Sequence, residues 1–113
     1  MNIEPQLDEA FGALSNATRR QIVTRLCAKP DMSALQIADM FDSAQPTISK
    51  HLKVLEKAGL VVRRIEGKRH IFSVNTLPLK AVADWSERHT RLWRNSLNQL
   101  SDYLDEAAHD DNS

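Results

Sequence analysis

The sequence predicts a mainly α-helical domain carrying one small β-hairpin, in the order α-α-α-α-β-β-α. Two observations point there. Apolar residues recur three and four apart through the first half of the chain and again from about Pro78 onward. Between these stretches lie two runs rich in β-branched residues, Leu60–Ile65 and Arg69–Val74, separated by Glu66-Gly67-Lys68. That pattern reads as a hairpin with glycine in its turn.

Leu7, Ala10, Phe11 and Leu14 share one helical face, so the first helix runs from about Leu7 to Leu14. Ser15-Asn16 offers the N-cap of a second helix, which carries Ile22, Val23, Leu26 and Cys27 and ends near Pro30. Ser33 caps a short third helix bearing Leu35, Ile37, Ala38 and Phe41, and Asp42-Ser43-Ala44 breaks it. The fourth helix begins at Gln45-Pro46, with proline in the first turn where its missing N–H does no harm. It stops at Ala58-Gly59, where glycine can adopt the left-handed conformation. After the hairpin, the spacing of Val82, Trp85, His89, Leu92, Trp93, Ser96, Leu100 and Tyr103 predicts a long last helix from about Pro78 to Glu106. Whether it breaks near Trp85–His89 is left open by the spacing. Residues 1–106 are read as a single domain and 107–113 as an acidic flexible tail.

Composition excludes several classes of function. At 113 residues the chain can bury roughly 65% of its unfolded surface without disulfides or a metal. No apolar run approaches the roughly 18 residues of a transmembrane helix, and the start lacks the pattern of a signal peptide, so a cytoplasmic protein without membrane partners is expected. One cysteine, Cys27, rules out an internal disulfide, and three glycines in all leave no material for a phosphate-cradling loop. No nucleophile and base are spaced to work together, so no enzyme is expected.

The formal net charge is zero, yet it is unevenly spread. From Gln45 to His70 there are seven basic residues against two acidic ones, a local net of +5. On a helical wheel, Ile48, His51, Leu52 and Leu55 of the fourth helix fall on one side, and Pro46, Ser49, Lys50, Lys53 and Lys57 on the other. The outer side is short, polar and cationic, suited to base edges and phosphates in the major groove of double-stranded DNA. A short helix precedes it across a tight turn, the helix-turn-helix arrangement. The hairpin is basic on both arms, as a wing lying along the backbone or minor groove would be. Cys27 reads as a small buried residue and His51 as a hydrogen-bonded histidine of the docking face. Arg19 and Arg20 fit either the DNA backbone or ion pairs within the fold.

Ala17-Thr18-Arg19-Arg20, Gln45-Pro46-Thr47-Ile48-Ser49-Lys50-His51-Leu52-Lys53-Val54-Leu55, Ala58-Gly59-Leu60-Val61 and Glu66-Gly67-Lys68-Arg69 together resemble the ArsR/SmtB family of winged helix-turn-helix repressors. The resemblance covers residues 7–105. It implies a homodimer through the first and last helices, with Leu7, Phe11, Trp85, Leu92, Trp93, Leu100 and Tyr103 as interface candidates. It also implies that Gln45, Thr47, Ser49 and Lys50, with Pro46 beside them, approach the bases, and that Lys53, Arg64, Lys68 and Arg69 contact phosphates. Ala44 stands where many relatives have a capping Ser or Thr, leaving Ser43 or Asp42 to cap the fourth helix. The family's thiolate metal site is absent from Ser33–Met40, which has no cysteine, and Asp84 and His89 lack a second histidine before His109. A regulator without metal or cofactor is therefore expected, a homodimeric repressor on an inverted repeat, with no inducer indicated. A winged-helix protein–protein module and a ligand- or redox-responsive regulator remain as alternatives.

Overall fold

The structure is a computed structural model that describes residues 4–111. Its elements are α1 (Glu4–Ala13), α2 (Ala17–Ala28), β1 (Met32–Ser33), α3 (Ala34–Phe41), α4 (Gln45–Lys57), β2 (Val61–Glu66), β3 (Arg69–Val74) and α5 (Thr76–Asp111). The described residues group into two compact units that divide between Val82 and Ala83. Residues 1–3 of the expected domain and 112–113 of the expected tail lie outside the described residues. Residues 107–111, also assigned to the tail, are helical.

In the first unit the core gathers Ile22 and Leu26 of α2, Ile37 of α3, Ile48, Leu52 and Leu55 of α4, and Leu60, Val61 and Phe72 around the sheet. Each helix therefore contributes the stripe that its apolar spacing marks. Leu7 of α1 is buried within the protomer, whereas Phe11 is exposed. Leu7, an expected interface residue, is thus covered by its own chain; periodicity locates an apolar stripe without saying what covers it. Cys27, expected to be buried, is exposed. It stands one residue, about 100° around the helix, beyond the inward Leu26.

The chain turns of this unit are held by side chains meeting backbone groups that helices leave unpaired. Asn16 caps α2 by accepting from the Arg19 backbone N–H at 3.1 Å. Arg19 Nε donates to the Ala13 carbonyl at 2.6 Å, and Arg20 Nη1 donates to the Leu14 carbonyl at 2.8 Å. Both arginines thereby fasten the α1–α2 connection. Ser33 forms a full capping box with Gln36 at the start of α3.

A short strand that the sequence does not signal, β1, joins the hairpin to form a three-stranded antiparallel sheet of order β1-β3-β2. Two residues are too few to show alternation; Met32 and Ser33 become a strand by pairing with Phe72 and Ile71. Gly59 closes α4 with φ +77°, its N–H bonded to the Glu56 carbonyl and the Leu60 N–H to the Leu55 carbonyl. These are the two hydrogen bonds of a Schellman motif, and they turn the chain from α4 into β2.

α5 is one helix from Thr76 to Asp111, unbroken at Trp85–His89, where the two rings stack at 3.9 Å and His89 Nδ1 lies 2.8 Å from the Trp85 carbonyl oxygen. Leu79 and Val82 pack on the core of the first unit. In the second unit Leu92, Trp93, Leu97, Leu100, Tyr103 and Leu104 are all exposed, Trp93 at 65%. Residues 93, 97, 100 and 104 repeat at 4-3-4 spacing, the seam of a helix that packs along another.

Gly59→Ala is expected to destabilise the protein by about 1–2 kcal/mol, because an alanine there must hold a left-handed conformation. The nearest atom to an added Cβ, Pro78 Cγ at 3.8 Å, is no obstacle. Gly12→Ala in α1, where an added Cβ meets nothing within 4 Å, is expected to stabilise by about 0.5–1 kcal/mol. Urea denaturation of the two variants checks both signs.

Candidate nucleic-acid interface

The helix-turn-helix consists of α3, a three-residue turn of Asp42, Ser43 and Ala44, and α4. Asp42 adopts the left-handed conformation, φ +49°, as the C-cap of α3, and its backbone N–H bonds the Ala38 carbonyl. Neither Asp42 nor Ser43 caps α4. Ser43 Oγ instead donates to the Phe41 carbonyl at 3.2 Å, and Ala44 holds the N-cap position with no side-chain bond. The expected substitute cap is absent, because the Asp42 backbone serves as the C-cap of α3 and the Ser43 hydroxyl turns back to the Phe41 carbonyl. In the first turn of α4 Pro46 has no N–H to satisfy, and the Thr47 and Ile48 N–H groups bond the Ala44 carbonyl at 3.1 and 3.2 Å.

Ile48, Leu52 and Leu55 pin α4 to the core. His51 sits half-buried beside them, its Nδ1 3.4 Å from Arg19 Nη1, which places the imidazole between α4 and α2 as a histidine of the docking face. The opposite side presents Gln45, Pro46, Thr47, Lys50, Lys53 and Lys57 fully outward, with Ser49 half-buried at its edge. The predicted division of the wheel holds residue by residue.

The hairpin has a two-residue turn, Gly67-Lys68, with Gly67 at φ +62°. Its register decides which arm residues share a face with α4. Opposed residues of an antiparallel pair point to the same side, and successive residues alternate. Arg63 opposes Phe72 and Ile65 opposes His70, on the face that also carries the buried Val61. Arg64 opposes Ile71, on the other face. Side-chain contacts agree: Arg63 Nη2 reaches Glu56 of α4 at 3.6 Å, and its Nη1 lies 3.2 Å from His70 Nδ1.

Arg64, a predicted phosphate contact, is instead held by Asp31 at 2.7 Å and Glu66 at 2.9 Å. Hydrogen bonds to these carboxylates, Asp31 foremost, raise its pKa above the usual arginine value. Arg63, a basic residue of the hairpin arm outside the set of expected phosphate contacts, occupies the side facing α4. Strand parity counted from Val61 is the signal that distinguishes them. By contrast Lys50, Lys53, Lys57, Lys68 and Arg69 are exposed and make no ion pair among the described residues. Between Gln45 and His70 the cations without an ion pair therefore fall into two groups, on the outer face of α4 and at the hairpin tip. Among the described residues no three of His, Cys, Asp or Glu are grouped to hold a metal ion. Nor, among those residues, is any helix long and apolar enough to cross a membrane.

Residues 14–64 match the model of a helix-turn-helix domain. An HTH-type transcriptional regulator of Mycobacterium tuberculosis is 32% identical over 103 residues, covering 91% of this chain and 92% of that protein. An ArsR-like transcriptional regulator from a Rhodococcus species superposes with a TM-score of 0.68 at 30% identity, over 85% of this chain and 90% of the other. This chain belongs to the ArsR/SmtB family. The transcriptional repressor SdpR of Bacillus subtilis is a further relative, 34% identical over 79 residues that make up 70% of this chain and 87% of the repressor. A winged helix-turn-helix domain from Mycobacterium bovis, described as homodimeric and DNA-binding, superposes with a TM-score of 0.64 at 26% identity, over 76% of this chain and 80% of that one. As an ArsR/SmtB member, the chain is a DNA-binding transcriptional regulator and not an enzyme. In the winged helix-turn-helix fold, α3 and α4 form the helix-turn-helix and the β2–β3 hairpin is the wing.

Arg64→Ala is expected to leave the salt dependence of duplex binding unchanged, since its guanidinium already serves Asp31 and Glu66. Arg69→Ala is expected to flatten the slope of log K against log salt by about one unit per protomer. Fluorescence anisotropy titrations across a salt series separate the two.

Proposed function

We propose that this ArsR/SmtB protein is a homodimeric repressor that occupies an inverted-repeat operator. Each α4 enters a major groove, the two about one DNA turn apart, and each wing follows the backbone or the adjacent minor groove. Gln45, Thr47, Ser49 and Lys50, beside Pro46, face the base edges; Lys53, Lys68 and Arg69 contact phosphates, and Arg63 stands on the same side. The observation that carries this reading is the unpaired cationic and hydroxyl-bearing outer face of α4, continued by the unpaired cations of the hairpin tip. With three to five phosphates neutralised per protomer, the slope of log K against log salt is about −5 to −9 for the dimer.

Dimerisation is supported by the exposed 4-3-4 seam of Trp93, Leu97, Leu100 and Leu104 on α5, flanked by Leu92 and Tyr103. Phe11 of α1 adds exposed apolar surface, and the M. bovis neighbour is described as homodimeric. Bound at a promoter, such a dimer represses by excluding polymerase. Selection of bound sequences from random duplex DNA tests the reading: a palindrome is expected, and a search upstream of this gene and its neighbours then finds the operator and shows whether the protein regulates itself. Recovery of no sequence preference, with a shallow salt slope, overturns it in favour of a protein-binding module.

Gln45→Ala or Thr47→Ala is expected to relax preference at one position per half-site, with a loss of about 1–3 kcal/mol on the selected site only. Competition against random duplex measures this, and equal loss on every sequence contradicts the assignment. Trp93→Ala is expected to weaken self-association by about 3 kcal/mol, seen as dissociation in sedimentation velocity. An unchanged profile places that side chain outside the interface.

A further inference from the structure

Between α4, the first turn of α3 and the hairpin lies a cavity of about 430 Å³, within the range of small-molecule sites. Its apolar surface is formed by Leu35, Leu52 and Phe72, and its cationic rim by Lys53, Lys68 and Arg69. One carboxylate, Glu56, is among the lining groups, and it is engaged by Arg63 at 3.6 Å. The three rim cations have no ion-pair partner among the described residues. The cavity is thus amphiphilic, with positive charge at the rim and hydrocarbon along its wall.

A sugar–phosphate strand needs the cations but has no use for the hydrocarbon. Leu35 makes that contrast sharp. It is 56% exposed at the start of α3, where an apolar side chain gains nothing from the protein core. An exposed Leu beside converging cations matches a ligand that carries an apolar body and an anionic head. We propose that this cavity binds a small organic anion, an aromatic or aliphatic carboxylate, and that the bound anion displaces DNA. Displacement follows from shared residues: Lys53, Lys68 and Arg69 cannot serve the carboxylate and the phosphates at once. This regulatory step rests on the DNA-binding reading above, whereas occupancy of the cavity does not.

The test uses 1-naphthoate as probe and inorganic phosphate as comparison, added to the full chain and followed by amide chemical shifts in NMR spectra. Saturable naphthoate shifts are expected at Leu35, Lys53 and Phe72, with phosphate far weaker. Leu35→Ser, an exposed and uncharged change, is expected to weaken naphthoate binding about ten-fold or more while duplex binding is retained. In anisotropy assays, naphthoate is expected to release a bound duplex in proportion to cavity occupancy. Shifts absent from these residues, phosphate binding as tightly as naphthoate, or a Leu35→Ser protein that binds naphthoate unchanged each overturn the site. If naphthoate fills the cavity and the duplex stays bound, displacement is overturned while DNA recognition stands. If no duplex binds at all, the DNA reading and the displacement fall together, and the NMR shifts still decide the cavity.

Discussion

The whole outer surface of the helix-turn-helix depends on how α4 is docked. Ile48, Leu52 and Leu55 are fully withdrawn from solvent and share a core with α2, α3 and the sheet. Burying three large aliphatic side chains contributes about 1.5–3 kcal/mol each, which is enough to fix the rotation of one helix about its axis. Once that rotation is set, no freedom remains in which residues point outward. Gln45, Thr47, Lys50 and Lys53 face solvent because their neighbours cannot. Arg19 reinforces the arrangement: one guanidinium reaches the Ala13 carbonyl and the His51 ring, linking the end of α1 to α4. Arg19 and Arg20 of the Ala17–Arg20 motif are thus both bonded to the scaffold.

The wing obeys a different constraint, the strict alternation of a strand. Two adjacent arginines, indistinguishable by composition, receive opposite environments. Arg63 stands opposite Phe72 and approaches Glu56 of α4, while Arg64 turns to the other face and is taken up by Asp31 and Glu66. Asp31 belongs to the connection before β1, so the Arg64–Asp31 pair ties the wing to the sheet's other edge. These pairs are exposed, and surface ion pairs contribute about 0–1 kcal/mol. Their consequence lies in the charge they remove from the surface more than in stability.

α5 shows what happens when an amphipathic helix is longer than the core available to it. Its first turns place Leu79 and Val82 on the core of the first unit. Farther along, Leu92, Trp93, Leu97, Leu100, Tyr103 and Leu104 remain exposed. An exposed apolar stripe of this length is uncommon on a monomeric surface, which is why it supports the proposed self-association. Trp85 and His89 stack one turn apart, so the helix passes without interruption through the point where its pattern left a break open.

Helix existence and type, the hairpin, the capping role of Asn16 and Ser33 and the inward and outward faces of α4 were all determined by local pattern, because period and capping chemistry act over a few residues and are written directly in their order. The bounds of α5, by contrast, run past the expected ends on both sides, since a helix end lacking a strong stop signal is placed by the whole chain. Tertiary structure alone decided the two-residue strand β1, which exists only through its partner β3, and the failure of Asp42 and Ser43 to cap α4, because both are committed to α3. It decided the burial of Leu7, the exposure of Cys27 and the separate fates of Arg63 and Arg64. Each of those outcomes depends on which surface a distant segment covers, and no local spacing carries that information.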